Sequence, residues 1–286
     1  MSDLHAINDA INKRAGRKLL PSIGVSVLLF AIVWFSLNYY RAIFAGIVGL
    51  AMVLGVREMV GALKKVNIEL SFLPLALASI GMAAAAWFGG VNGLAVATAV
   101  ALPCLLALLL PKGPEHFIQS ASAYALTLIY IPFLAGFLIL LARPHNGFER
   151  MMTFVILIAC NDTFAYLIGM AIGKHAMAPK VSPKKTWEGF AGSLFFTTIA
   201  GAAAFHFILN AHMWLGALAG LAVVISGTVG DLIESAIKRD LAIKDMGALL
   251  PGHGGVLDRI DSILFAAPTL WLALEIVRRA QDSGLL

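Results

Sequence analysis

Charge is what this chain has least of. Only 13% of its 286 residues are Asp, Glu, Lys or Arg, whereas soluble globular proteins carry about 25%. No stretch is polar and long enough to make a separate soluble domain. Residues 1–286 are therefore expected to form a single integral membrane domain. Cysteine is also scarce. Cys104 and Cys160 sit inside apolar runs, which excludes a disulfide framework and leaves them as small hydrophobes. There is no Walker P-loop, no HExxH and no GxSxG, so the usual soluble ways of binding nucleotides or hydrolysing esters are missing. No internal repeat is evident. The polar start, with Lys13, Arg14, Arg17 and Lys18 before a long apolar run lacking a small-residue cleavage site, does not read as a cleavable signal peptide.

What the chain does have is hydrocarbon-like sequence: 60% hydrophobic residues and a mean hydropathy of +0.87. A helix needs roughly 20 apolar residues to cross a bilayer. Nine segments qualify, at about 19–38, 42–62, 71–89, 91–110, 117–142, 151–173, 190–209, 213–233 and 262–277. The fold class is thus all-α and polytopic, with a tight hairpin at Gly89–Gly93 and a kink at Pro132. With the N-terminus inside, only Arg41, Arg143, Arg150, Arg278 and Arg279 fall on the outer side, and every other Lys and Arg falls inside. That bias favours an N-in, C-out topology. A net charge of +5 needs no nucleic acid as partner, because the basic residues line the spans where anionic headgroups account for them.

This topology puts both polar segments, Lys174–Glu188 and Lys238–Asp261, on the cytoplasmic face, where nucleotides are. Asp231 and Glu234 are three apart and share a helix face, with Lys238 four beyond Glu234. Pro251 and the glycines around His253 break helix and let backbone approach a ligand. Asp258 and Asp261, again three apart, open the next helix. Carboxylates gathered at such a surface suit a hard divalent cation such as Mg²⁺, which in turn binds phosphate oxygens. In the other segment, Lys180, Lys184 and Lys185 can bind phosphate as point charges. Ser182-Pro183 favours a turn, and Thr186 with Glu188 suits a helix cap. Asp162, inside the sixth span beside Asn161, should face a polar cavity or a cation. His253 has two readings, a contact to phosphate or base and a turn organiser, and both stay open.

The residues Ser235, Lys238, Arg239, Lys244, Asp245, Gly247, Pro251, Gly252, His253, Gly254, Gly255, Asp258, Arg259 and Asp261 spell a pattern that resembles the signature of phosphatidate cytidylyltransferases. The segments DTFAYLIG from Asp162, GKH from Gly173 and SPKKTWEG from Ser182 are similar to family segments in the same order. The resemblance covers the C-terminal half, 151–286, while 1–150 match only as a string of helices. It implies transfer of CMP from CTP to phosphatidate with release of pyrophosphate, dependent on Mg²⁺, with the place of a second cation open. It implies Asp231 and Asp258 as metal ligands, supported by Asp261, Asp245 and Glu234. Lys238, Arg239, Lys244 and Arg259 would hold phosphates. Ser182, Lys184, Lys185 and Thr186, with Glu188, Ser235 and His253, would surround the substrates, and Asp162 would line the cavity. A homodimer with its cavity open to lipid and cytoplasm, in a bacterial inner membrane, is the expected setting. A paralogue acting on another lipid phosphate and a CTP-dependent lipid kinase are close alternatives. A transporter is remote, because the charges converge on one face instead of spreading over several spans.

Overall fold

The computed structural model describes residues 31–247 and 254–283. Lys13, Arg14, Arg17, Lys18, most of the first expected span (19–38), Pro251, Gly252 and His253 lie outside the described residues. Among those described, seven helices are long and apolar enough to cross a membrane. They are α1 (Arg41–Lys64), α2 (Phe72–Ala107), α3 (Phe117–Ala142), α4 (Gly147–Ile172), α5 (Trp187–Phe207), α6 (Met213–Asp240) and α7 (Leu257–Asp282). Residues 31–39 are also helical. The protein is a multi-pass membrane protein of helical build. Large apolar side chains face outward all round it, with Phe88 79%, Ile118 81% and Phe207 75% exposed, an arrangement stable only against lipid or another apolar surface.

The spans expected at 71–89 and 91–110 are joined as α2, interrupted at Gly90 (φ +64°, ψ −150°). A left-handed φ is open to glycine without a Cβ clash. The Gly93 backbone lies against the Ala85 carbonyl, although eight residues of straight helix would separate them by about 12 Å. The chain therefore doubles back at Gly90. Arg143 closes this hairpin: its Nε donates to the Trp87 carbonyl at 2.7 Å and its Nη2 to that of Phe88 at 3.3 Å. Arg41 donates to the Pro144 carbonyl, so this end of the bundle is tied by two arginines. In α3 the expected kink at Pro132 takes the form of a π-helical turn, Ile129–Phe133, which absorbs the missing N–H.

One departure from an all-helical reading sits between α4 and α5. Strands β1 (Ala176–Ala178) and β2 (Ser182–Thr186) pair antiparallel, so Ser182 and Pro183 open a strand and do not form the turn. Pro183 is tolerated because a two-stranded ribbon consists of edges. Thr186 does cap α5, its Oγ1 accepting from Gly189 N at 3.2 Å.

Helices α4, α5, α6 and α7 pack in succession, and α7 also packs on the second half of α3. The α5–α6 crossing is close because it is made of glycine. A Cβ on Gly216 would overlap the Gly201 carbonyl and lie 2.6 Å from Phe205 Cβ, whereas one on Gly61 would meet nothing within 4 Å. Gly216→Ala is therefore expected to destabilise by about 1–3 kcal/mol through overpacking. Gly61→Ala should be neutral or stabilising, since alanine is the better helix former. Thermal melts of the detergent-solubilised variants check this, and equal melting temperatures would refute the crossing geometry.

Candidate active site

Helix α6 carries Asp231, Glu234, Ser235 and Lys238 at spacings of three and four, so they form one stripe. That stripe is pressed against α7 through Gly230, where a Cβ would lie only 2.7 Å from the Asp261 carbonyl. The close approach brings the carboxylate oxygens of Asp231, Glu234 and Asp261 within 4.8 Å of one another. Glu234 is fully buried. The Lys238 ammonium ion-pairs with its Oε2, while Oε1 has no hydrogen-bond partner among the described residues. A buried carboxylate left so under-bonded, beside two more carboxylates, is a set of hard oxygen donors that fits a divalent cation.

Asp258, which the resemblance pairs with Asp231, is linked to this cluster through Lys238. It accepts from Gly255 N at 2.8 Å, from Met246 N at 3.0 Å and from Lys238 Nζ at 3.0 Å. Lys238 thereby bridges Glu234 and Asp258. Ser235 Oγ donates to Asp231 at 3.4 Å.

The basic loop comes to the same place. Lys185, on β2, makes a 2.6 Å ion pair with Asp231. A cavity of about 300 Å³ opens here. Its polar lining includes Asp162, Lys184, Lys185, Thr186, Asp231 and Ser262, and its apolar lining includes Ala165, Tyr166, Met177 and Phe190. Asp162 is exposed into this cavity and accepts from Asn161 Nδ2 at 3.1 Å.

Other residues singled out from the sequence stand apart from the cavity. Glu188 accepts from Lys174 N and His175 N and pairs with His175 Nδ1 at 2.5 Å, which ties the ribbon to the first turn of α5. Ser182 lies at the far end of β2. Arg239 Nε donates to the Val181 carbonyl at 3.2 Å and fastens the ribbon to the end of α6. Lys244, Asp245 and Arg259 are exposed.

Two residues near the site had no place in the sequence reading. Tyr130, in the π-helical turn, is 3% exposed, and its hydroxyl has no hydrogen-bond partner among the described residues. It lies within electrostatic reach of Glu234, Asp261, Asp231 and Asp258. Glu58 accepts from the backbone of Val256 and Leu257 at 2.9 Å each. The signal for Glu58 was available: a carboxylate within an apolar span, the same oddity that marks Asp162.

Residues 21–277 match the cytidylyltransferase family. The chain belongs to that family. It is 34% identical over 280 residues to the phosphatidate cytidylyltransferase of Mycobacterium bovis, covering 92% of this chain and 90% of that protein. Identity to the Mycobacterium leprae phosphatidate cytidylyltransferase is 32% with the same coverage. A 142-residue stretch, 49% of this chain, is 40% identical to 54% of the Staphylococcus aureus phosphatidate cytidylyltransferase. A cytidylyltransferase has to hold two anionic phosphate groups side by side, and the lysines and clustered carboxylates around this cavity are the groups such a task requires.

Proposed function

We propose that the protein transfers CMP from CTP to phosphatidate, giving CDP-diacylglycerol and pyrophosphate. The observation that carries this reading is one cavity lined by apolar side chains and two lysines, with an adjoining three-carboxylate cluster. A phosphate oxygen of phosphatidate attacks the α-phosphorus of CTP, and the bond to the β-phosphate oxygen breaks. Lys184 and Lys185 receive phosphate oxygens, with Lys185 exchanging its pairing to Asp231 for substrate. Tyr166, Phe190 and Ala165 accept the first part of the acyl chains. Arg239, Lys244 and Arg259 supply further positive charge for the departing phosphates, and Lys238 keeps Glu234 and Asp258 in place. Such a reaction needs little covalent help from protein beyond positioning and charge neutralisation.

Asp231, Glu234 and Asp261 would hold Mg²⁺. When bound, the cation supplies Lewis-acid neutralisation of phosphate charge. Counting both arms of α2 and the apolar segment 19–38, the chain crosses the membrane nine times, N-in and C-out. The Lys and Arg bias then turns the cavity to the cytoplasm, where CTP is found. A homodimer in a bacterial inner membrane completes the reading.

The test is product identity. Purified protein given CTP, phosphatidate and Mg²⁺ should release pyrophosphate and form a CDP-lipid. EDTA should stop both, and excess Mg²⁺ should restore them. Release of CDP with a newly phosphorylated lipid would indicate a lipid kinase instead, and activity undiminished by EDTA would remove the cation from the scheme.

A further inference from the structure

We propose that Glu58 is a positioning residue of the catalytic centre, a carboxylate delivered by α1 that grips the start of α7 and thereby sets where Asp261 stands relative to Asp231 and Glu234. The first N–H groups of a helix have no partner within it. In α7 the residue before the helix, Val256, has no side-chain acceptor to offer. Glu58, 198 residues away, supplies both acceptors: Val256 N reaches Oε1 and Leu257 N reaches Oε2, each at 2.9 Å. Negative charge at a helix N-terminus is also favoured by the aligned peptide dipoles.

The fit around this carboxylate is close on every side. Glu58 is 8% exposed. A Cβ on Gly255 would lie 2.5 Å from its Oε2, and a Cβ on Gly247 would lie 2.6 Å from its Cδ. One turn earlier on α1, Gly55 leaves room for Leu257, whose Cδ1 would lie 3.0 Å from a Cβ there. Asp258 also holds this short stretch, through Gly255 N and Met246 N. The chain on either side of residues 248–253 is thus clamped between two carboxylates, one from each half of the protein. Asp261 lies four residues beyond Leu257, on the next turn of the same rigid helix. A shift in the grip is transmitted to the carboxylate cluster.

A charge inside an apolar span is costly, and a neutral side chain could cap a helix as well. What a neutral cap lacks is two acceptor oxygens in a fixed fork, which determine the helix's rotation as well as its end. A misplacement of about 1 Å in a catalytic constellation costs about 10²-fold in rate. The inference rests on the reading of Asp231, Glu234 and Asp261 as a cation site.

The experiment uses the full chain in detergent with Glu58→Gln, which keeps the volume but turns one acceptor into a donor facing an N–H. Gly255→Ala attacks the same contact from the other side and should give the same phenotype. Three quantities are read. Hydrogen exchange at Val256 and Leu257 should quicken by about 10-fold or more. The dissociation constant for Mn²⁺, followed by electron paramagnetic resonance, should rise about 10-fold. The value of kcat should fall about 10-fold to 100-fold, with more Mg²⁺ needed for half-saturation. Unchanged exchange overturns the grip itself. Faster exchange with unaltered Mn²⁺ affinity and kcat overturns the positioning role and leaves Glu58 a structural cap. Failure of the wild-type protein to bind Mn²⁺ overturns the cation reading, while exchange, which needs no metal, still judges the grip.

Discussion

Asp231→Asn is expected to abolish CDP-lipid formation, by at least about 10³-fold, and Asp261→Asn to do nearly the same. Both changes keep side-chain volume and leave the apolar packing of α6 and α7 untouched, so yield and melting temperature should stay close to wild type. The reason is electrostatic. The three oxygens that converge within 4.8 Å come from Asp231, Glu234 and Asp261, and an amide in any of them replaces a charged hard donor by a neutral one. Residues that act as a unit are grossly non-additive, so the double variant should be hardly worse than either single one. Incorporation of labelled CTP into lipid measures the effect. Activity within about 10-fold of wild type in either variant would remove that residue from the site.

Lys238→Met should damage stability and activity together, and the two effects should separate in a double variant. Lys238 stands between Glu234, which is fully buried, and Asp258, 3.0 Å away. Removing the cation leaves a buried carboxylate with no ion pair, a change that costs about 3–5 kcal/mol. The melting temperature should fall clearly and turnover should drop at least about 10²-fold. Adding Glu234→Gln removes the stranded charge, so stability should return while activity does not, because the cluster has then lost a ligand. If the double variant melts as low as Lys238→Met alone, the charge argument fails and Lys238 matters through its packed stem.

The positions of the spans were legible because a bilayer imposes a length on every crossing. Residues 42–62 became α1, 117–142 became α3 with those bounds, and 213–233 became the apolar part of α6. The helix ends were less legible. Helices α6 and α7 run beyond their apolar stretches into charge, since helical hydrogen bonding does not stop where hydropathy does. The turn expected at Ser182-Pro183 gives way to strand, because Ser-Pro signals a turn locally while the pairing depends on a partner strand only three residues long.

In the candidate site, the stripe Asp231, Glu234, Lys238 could be read from helical period alone, since neighbours three and four apart must share a face. The same rule made Asp258 and Asp261 a pair but could not say which of them meets Asp231. That depends on the rotation of α7 about its own axis, and rotation follows from packing at Gly230 and from the grip of Glu58 on Val256 and Leu257.

The membrane setting, the apolar stretches of the seven described helices, the family pattern and the two charged segments are all written in composition or in short-range spacing. The tertiary structure alone decided that α2 doubles back at Gly90, that Asp261 joins Asp231 and Glu234 in one carboxylate cluster, and that Lys185 reaches Asp231 across a ribbon. It also decided that a carboxylate from the first described span holds the last helix. Contacts between residues far apart in the chain depend on how helices rotate and cross, and close packing settles that only once every side chain is in place.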